Sequence, residues 1–249
     1  MSLPEPRHAT SADGTRIGYY SVGSGPGLAL VHGSLQSAVS QLELAALLSP
    51  AHTVHLVERR GRGLSGSMPA ATFRTEVEDV RAVLAATASR DLLGISTGAI
   101  IAARTALVDD VRRLALFEPP LPVDGSVRLD LVPGFLAALD AGDLPRAMAV
   151  SMRLAEMGPP WMFGLPAGIL AAVSRRMLAR DDTRPLSPGA VHVRELVLAL
   201  RADFAVVTES AGTAAEHAAL TVPTLLLEGT RTRPYLRTAV AALAAAPPR

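Results

Sequence analysis

Residues 92–101 read Leu92-Leu93-Gly94-Ile95-Ser96-Thr97-Gly98-Ala99-Ile100-Ile101: an apolar run, a cluster of small residues, then a second apolar run. The first run predicts a buried strand over 92–95, and the second has helical length and spacing over 98–108. Between them stands Gly-x-Ser-x-Gly. Glycines two before and two after a serine remove the side chains that would block a very tight strand-to-helix turn. The serine is then held in a strained, exposed position above the helix N-terminus. Ser96 is the candidate nucleophile, and its simpler role is a helix cap.

The alternation extends outward in both directions. Asp13-Gly14 supplies the positive-φ turn of a hairpin before a β-rich run at 15–22. Gly23-Ser24-Gly25-Pro26-Gly27 breaks the chain before a strand at 28–31. Helical spacing follows at 42–48, a strand at 53–57, and an amphipathic helix at 73–87. Downstream of Ser96, a strand at 114–117 is stopped by Pro119-Pro120. Strands alternating with helices predict an α/β fold, a mostly parallel sheet with helices on both faces. From Pro119 to about Ala219 the alternation gives way to helical patterns at 144–157, 167–180 and 189–200. A strand at 221–227 and a helix at 232–245 then resume it. The expected division is a core over 1–118, a helical cap over 119–219, and the rest of the core over 220–249.

Composition removes several kinds of chemistry. Of 249 residues, 49% are hydrophobic and 19% charged, which suits a folded core and not a disordered tail. The net charge is +1, with basic residues neither in excess nor clustered, so nucleic acid is not an expected partner. There is no cysteine, lysine or asparagine; thiol nucleophiles, disulfides and Schiff-base lysines are excluded. The alanine and arginine bias suggests a GC-rich, bacterial coding sequence. No signal-peptide pattern and no apolar span of membrane length is found, so a cytoplasmic protein without a membrane partner is expected. Oligomeric state is not readable.

A tetrahedral oxyanion needs two backbone N–H donors aimed at one point. One is expected from Thr97, directly after the serine, and the other from Ser34 in Val31-His32-Gly33-Ser34. His32 itself reads as a buried, hydrogen-bonded residue that shapes the loop.

Together these residues carry a resemblance. His32-Gly33-Ser34 after one strand, Glu58-Arg59-Arg60-Gly61-Arg62-Gly63-Leu64-Ser65-Gly66 after the next, and Gly94-Ile95-Ser96-Thr97-Gly98 after the third resemble the α/β-hydrolase superfamily. The likeness continues through Glu118-Pro119-Pro120, the helical cap and Leu227-Glu228-Gly229. It implies a catalytic triad of nucleophile, acid and histidine in that chain order, a small-molecule substrate, and no metal or organic cofactor. The acid is often placed after the strand ending near Gly229, where this chain has Thr232. Glu118, at the end of the strand following the nucleophile helix, matches the alternative place. It is either the triad acid or a loop carboxylate that caps N–H groups beside two prolines.

The family's histidine would follow one further strand, and no histidine matches that position. The expected final strand, histidine loop and closing helix are not found before Pro247-Pro248-Arg249. His8, His52, His55 and His217 are expected at the far end of the sheet from Ser96, and His192 in the cap. Three functions stay open: a serine hydrolase acting on an ester or related bond through Ser96, a truncated or non-catalytic relative binding a small apolar ligand, and a cofactor-independent lyase.

Gly61-Arg62-Gly63-Leu64-Ser65-Gly66 matches a dinucleotide-binding pattern, but Ser67-Met68-Pro69-Ala70-Ala71-Thr72 follows where a helix should open at once. Met152, Met157, Trp161, Met162 and Phe163 form either an apolar pocket wall or ordinary packing of the cap.

Overall fold

The computed structural model describes residues 3–66 and 71–245. Ser67 to Ala70 and Pro247-Pro248-Arg249 lie outside the described residues. Seven strands form one sheet: β1 Arg7–Thr10, β2 Arg16–Val22, β3 Gly27–Val31, β4 Thr53–Val57, β5 Asp91–Ile95, β6 Arg113–Phe117 and β7 Thr224–Leu227. Their order is β1-β2-β4-β3-β5-β6-β7. The β1–β2 and β2–β4 pairs are antiparallel and the others parallel, as the α/β reading requires. The hairpin turn follows from its residues. Gly14 takes φ +84°, and Asp13 Oδ1 accepts from the Thr15 N–H at 3.0 Å.

The α-helices are α1 Leu42–Leu48, α2 Phe73–Thr87, α3 Thr97–Ala106, α4 Val132–Asp140, α5 Leu144–Leu154, α6 Ala167–Asp182, α7 Val193–Glu209 and α8 Pro234–Ala245. Strand periodicity sorts the core onto two faces. Ala29, Val31, Leu92, Leu114 and Leu116 meet α2, α3 and α8; Leu30, Leu56 and Leu93 meet α1. On the α1 side, a channel of about 910 Å³ runs along β3, β5, β6 and β7 between Leu44, Leu48, Ala115 and Leu225. Leu225 and Leu227 on edge strand β7 are exposed there.

Two helices depart from the sequence reading. Helix α4 lies outside the three helical patterns expected between 119 and 219, and it carries Pro133 and Gly134 in its first turn. Proline is tolerated in a first helical turn, whose N–H groups lack intrahelical partners anyway. The third pattern, expected at 189–200, begins at Val193 and runs on to Glu209. The helix continues through Arg201 and Asp203 because Asp203 is fully buried in an ion pair and α7 packs against α2 and α3. Trp161-Met162-Phe163 forms a 3₁₀ turn, with the Trp161 side chain exposed.

The sheet order reverses between β3 and β5, since β4 lies to one side of β3 and β5 to the other. Loops leaving the carboxyl ends of such a strand pair diverge and open a crevice. Ser34 and Ser96 leave those two strands.

Candidate active site

The turn after β5 has the expected strain. Ser96 lies at φ +54°, ψ −123°, a conformation rarely adopted by residues bearing a Cβ. It is pinned on both sides: its N–H donates to Phe117 O at 2.8 Å, and its carbonyl accepts from Ala99 N–H at 2.8 Å. The flanking glycines are required by contact. A Cβ on Gly94 would lie 2.4 Å from Gly98 O, and one on Gly98 would lie 2.3 Å from Val31 O. A third close approach is Gly33, where a Cβ would fall 2.8 Å from Ser96 Cβ. Glycine at 33 therefore lets the β3 loop lie directly against the serine.

Ser34 and Thr97 meet across this junction, with their hydroxyl oxygens 3.2 Å apart. Neither backbone N–H has an acceptor among the described residues. His32 stands behind the loop, fully buried, with Nδ1 2.9 Å from Gly33 O. Burial pushes its pKa down despite the nearby Glu58 carboxylate, so the neutral ring donates from Nδ1 to that carbonyl. It shapes the loop, as its sequence context suggested.

Glu118 has positive φ, +48°, immediately after β6. Ile95 pairs with Phe117, so Ser96 and Glu118 leave adjacent parallel strands one residue past that register. Glu118 Oε1 accepts from Gly229 N–H at 3.0 Å and from the Thr232 hydroxyl. The two places where the family's acid can stand thus touch each other here. Tyr235 lies nearby, and its hydroxyl is pushed up to about 12 by burial and by the Glu156 and Glu118 charges.

The sequence reading missed a buried charge cluster behind Thr97. Arg59 forks onto Glu76, with Nε to Oε2 at 2.9 Å and Nη2 to Oε1 at 2.8 Å. Its Nη1 lies 2.6 Å from Asp203 Oδ1 and donates to Thr97 Oγ1 at 3.2 Å. Arg62 holds the other Asp203 oxygen at 2.7 Å. Arg60 is bound in the same forked way by Asp79 and reaches Asp13. Burial would raise the Asp203 carboxyl, but Arg59 and Arg62 outweigh it and hold the pKa below its ordinary value. Three arginines in the four residues 59–62, with Glu76 and Asp79 at helical spacing, were the available signal.

A family model for the α/β hydrolase family matches residues 28–249. The chain belongs to that family. This α/β hydrolase is 30% identical to an α/β hydrolase from Sphaerobacter thermophilus, with TM-score 0.78, covering 97% of this chain and 89% of that one. It is similar to a hydrolase from Pseudomonas aeruginosa at 22% identity and TM-score 0.71, covering 97% and 86% of the two chains. An esterase from Rhodococcus sp. is 24% identical, with TM-score 0.64, covering 100% of this chain and 88% of that one. The latter two likenesses speak for the fold alone. No curated protein matches the chain.

In this α/β hydrolase, no histidine has a hydrogen bond or ion contact with Ser96, Glu118 or Thr232 among the described residues. His55 lies within β4, bound to Ser21 Oγ at 2.9 Å, and burial with the Arg7 charge lowers its pKa to about 4. His217 Nδ1 lies 3.0 Å from Thr213 O. His192 precedes α7, with Nδ1 3.3 Å from Asp181 Oδ2. The 910 Å³ channel is lined by neither Ser96 nor Glu118, nor by any residue of 119–219. No helix among the described residues is long and apolar enough to cross a membrane.

Proposed function

We propose that this α/β hydrolase cleaves an ester or related bond of a small molecule through an acyl intermediate on Ser96. The supporting observation is Ser96 at φ +54° between two glycines that no other residue can replace without backbone collision. Such strain is retained where the position serves chemistry. In this reading the Ser34 and Thr97 N–H groups receive the developing oxyanion, Glu118 is the acid of the site, and 119–219 is the cap. No metal or organic cofactor takes part. Ser96 Oγ attacks the carbonyl carbon, the alcohol leaves with a proton, and water then releases the acid. A serine hydroxyl is a poor nucleophile unless a base removes its proton.

Treatment with a fluorophosphonate probe followed by intact mass measurement tests this reading. One adduct, lost in Ser96→Ala, is expected; an unmodified protein counts against it. The rival reading is a non-catalytic binder of a small apolar ligand, favoured by the lack of histidine contacts to Glu118 among the described residues. It predicts saturable binding with no Ser96-dependent turnover.

A further inference from the structure

Thr97 Oγ1 is approached by two groups, Arg59 Nη1 at 3.2 Å and Ser34 Oγ at 3.2 Å. A guanidinium can only donate, so the threonine oxygen accepts from Arg59. The threonine's own proton is then free to donate, and Ser34 Oγ is its one hydroxyl partner among the described residues. Donation in that sense makes Ser34 Oγ an acceptor and turns the Ser34 proton away from Thr97. Ser34 Oγ has no other protein partner among the described residues, and the side chain is only half-buried.

From this geometry we propose that the Ser34 hydroxyl is a third donor to an anion bound at the Ser34 and Thr97 N–H groups, aligned through Thr97 by Arg59. The ligand is the oxyanion of an acyl-transfer intermediate or a short carboxylate, and the proposal rests on the oxyanion reading of Ser34 and Thr97. Donors in series polarise one another, most strongly when the first is charged and buried. Arg59 is a positioning residue here, because it acts through Thr97. The Glu76 fork fixes the plane of its guanidinium, and Asp203 on α7 holds the same Nη1 that reaches Thr97.

The test is titration of the ¹⁵N-labelled full chain with butanoate, following the Ser34 and Thr97 amide signals. Wild type and Thr97→Ser keep the hydroxyl relay and bind alike. Ser34→Ala and Thr97→Val each weaken binding about tenfold, the effect of one charge-assisted hydrogen bond. The double variant is no weaker than either single one, because both changes interrupt one chain of donors. That lack of additivity is what two separate packing losses would not give. Equal affinity in Ser34→Ala and wild type overturns the proposal. So do losses that multiply in the double variant, or amides that do not respond in wild type. An ester assay on the same proteins separates the two readings. Butanoate binding with no Ser96-dependent turnover removes the hydrolase reading and leaves the third donor standing. Turnover unchanged by Ser34→Ala does the reverse.

Discussion

The Thr232 hydroxyl donates to Glu118 Oε1, so the loop after β7 is tied to the carboxylate at the end of β6. The Gly229 N–H donates to the same oxygen at 3.0 Å. One carboxylate oxygen thus joins the ends of two neighbouring strands. Thr232→Asp would set two carboxylates against each other and raise the pKa of the pair above the ordinary value of about 4. The folded state then holds a proton that the unfolded chain releases. Relative to wild type, the stability of Thr232→Asp therefore falls as pH rises from about 4 to 7. Urea denaturation at several pH values reads this directly, and parallel profiles for the two proteins would refute it.

Ser96→Gly removes a Cβ from a position of positive φ and is expected to raise stability by about 1 kcal/mol while abolishing the probe adduct. Ser96→Ala abolishes the adduct and leaves the strain in place. Thermal melts of the two variants should differ by a few degrees in favour of glycine. Equal melting temperatures would mean the backbone at 96 relaxes.

No histidine contacts Ser96 or Glu118 among the described residues, and a base can come from solution. Added imidazole should accelerate ester cleavage saturably in wild type, above its own background catalysis, and not in Ser96→Ala. A linear increase of equal slope in both proteins would show that imidazole works outside the site.

Asp203→Asn leaves Arg59 and Arg62 without their shared carboxylate and is expected to cost about 3–5 kcal/mol, the range for one partner removed from a buried pair. The pH effect has a definite sign. The Asp203 pKa is depressed on folding, so its stabilisation is fully present above the unfolded value of about 4 and is lost as pH falls through the folded value. Acid titration followed by near-ultraviolet circular dichroism should show this loss in wild type and a flatter profile in Asp203→Asn.

Leu225 is 58% exposed on edge strand β7, beside the apolar channel. Leu225→Glu should change stability by less than about 0.5 kcal/mol and raise solubility, since a charge on an edge strand opposes sheet-to-sheet association. A loss above 2 kcal/mol would show that the leucine is covered in solution.

Much of this arrangement was legible because it rests on local signals. Helix α1, strand β4 and helix α2 agree with the sequence reading, since their apolar periodicity is a local signal. Gly94, Ser96 and Gly98 announced their turn for the same reason. Helix α4 and the far half of α7 did not. Pro133 and Asp203 break the local pattern, and their accommodation depends on a helix start and on arginines more than about 140 residues away in sequence. The Arg59–Thr97–Ser34 chain was hidden for that reason too. Each member belongs to a different strand end, and only the reversal of strand order beside β3 brings them together.

The backbone at Ser96 also bears on how such a sequence drifts. A lineage released from chemistry would gain stability by accepting glycine at 96, and nothing in the surrounding contacts would oppose the change. Serine is the harder residue to keep there. Its presence, between glycines fixed by collision with Val31 and Ala99, is what selection for a working hydroxyl would leave behind.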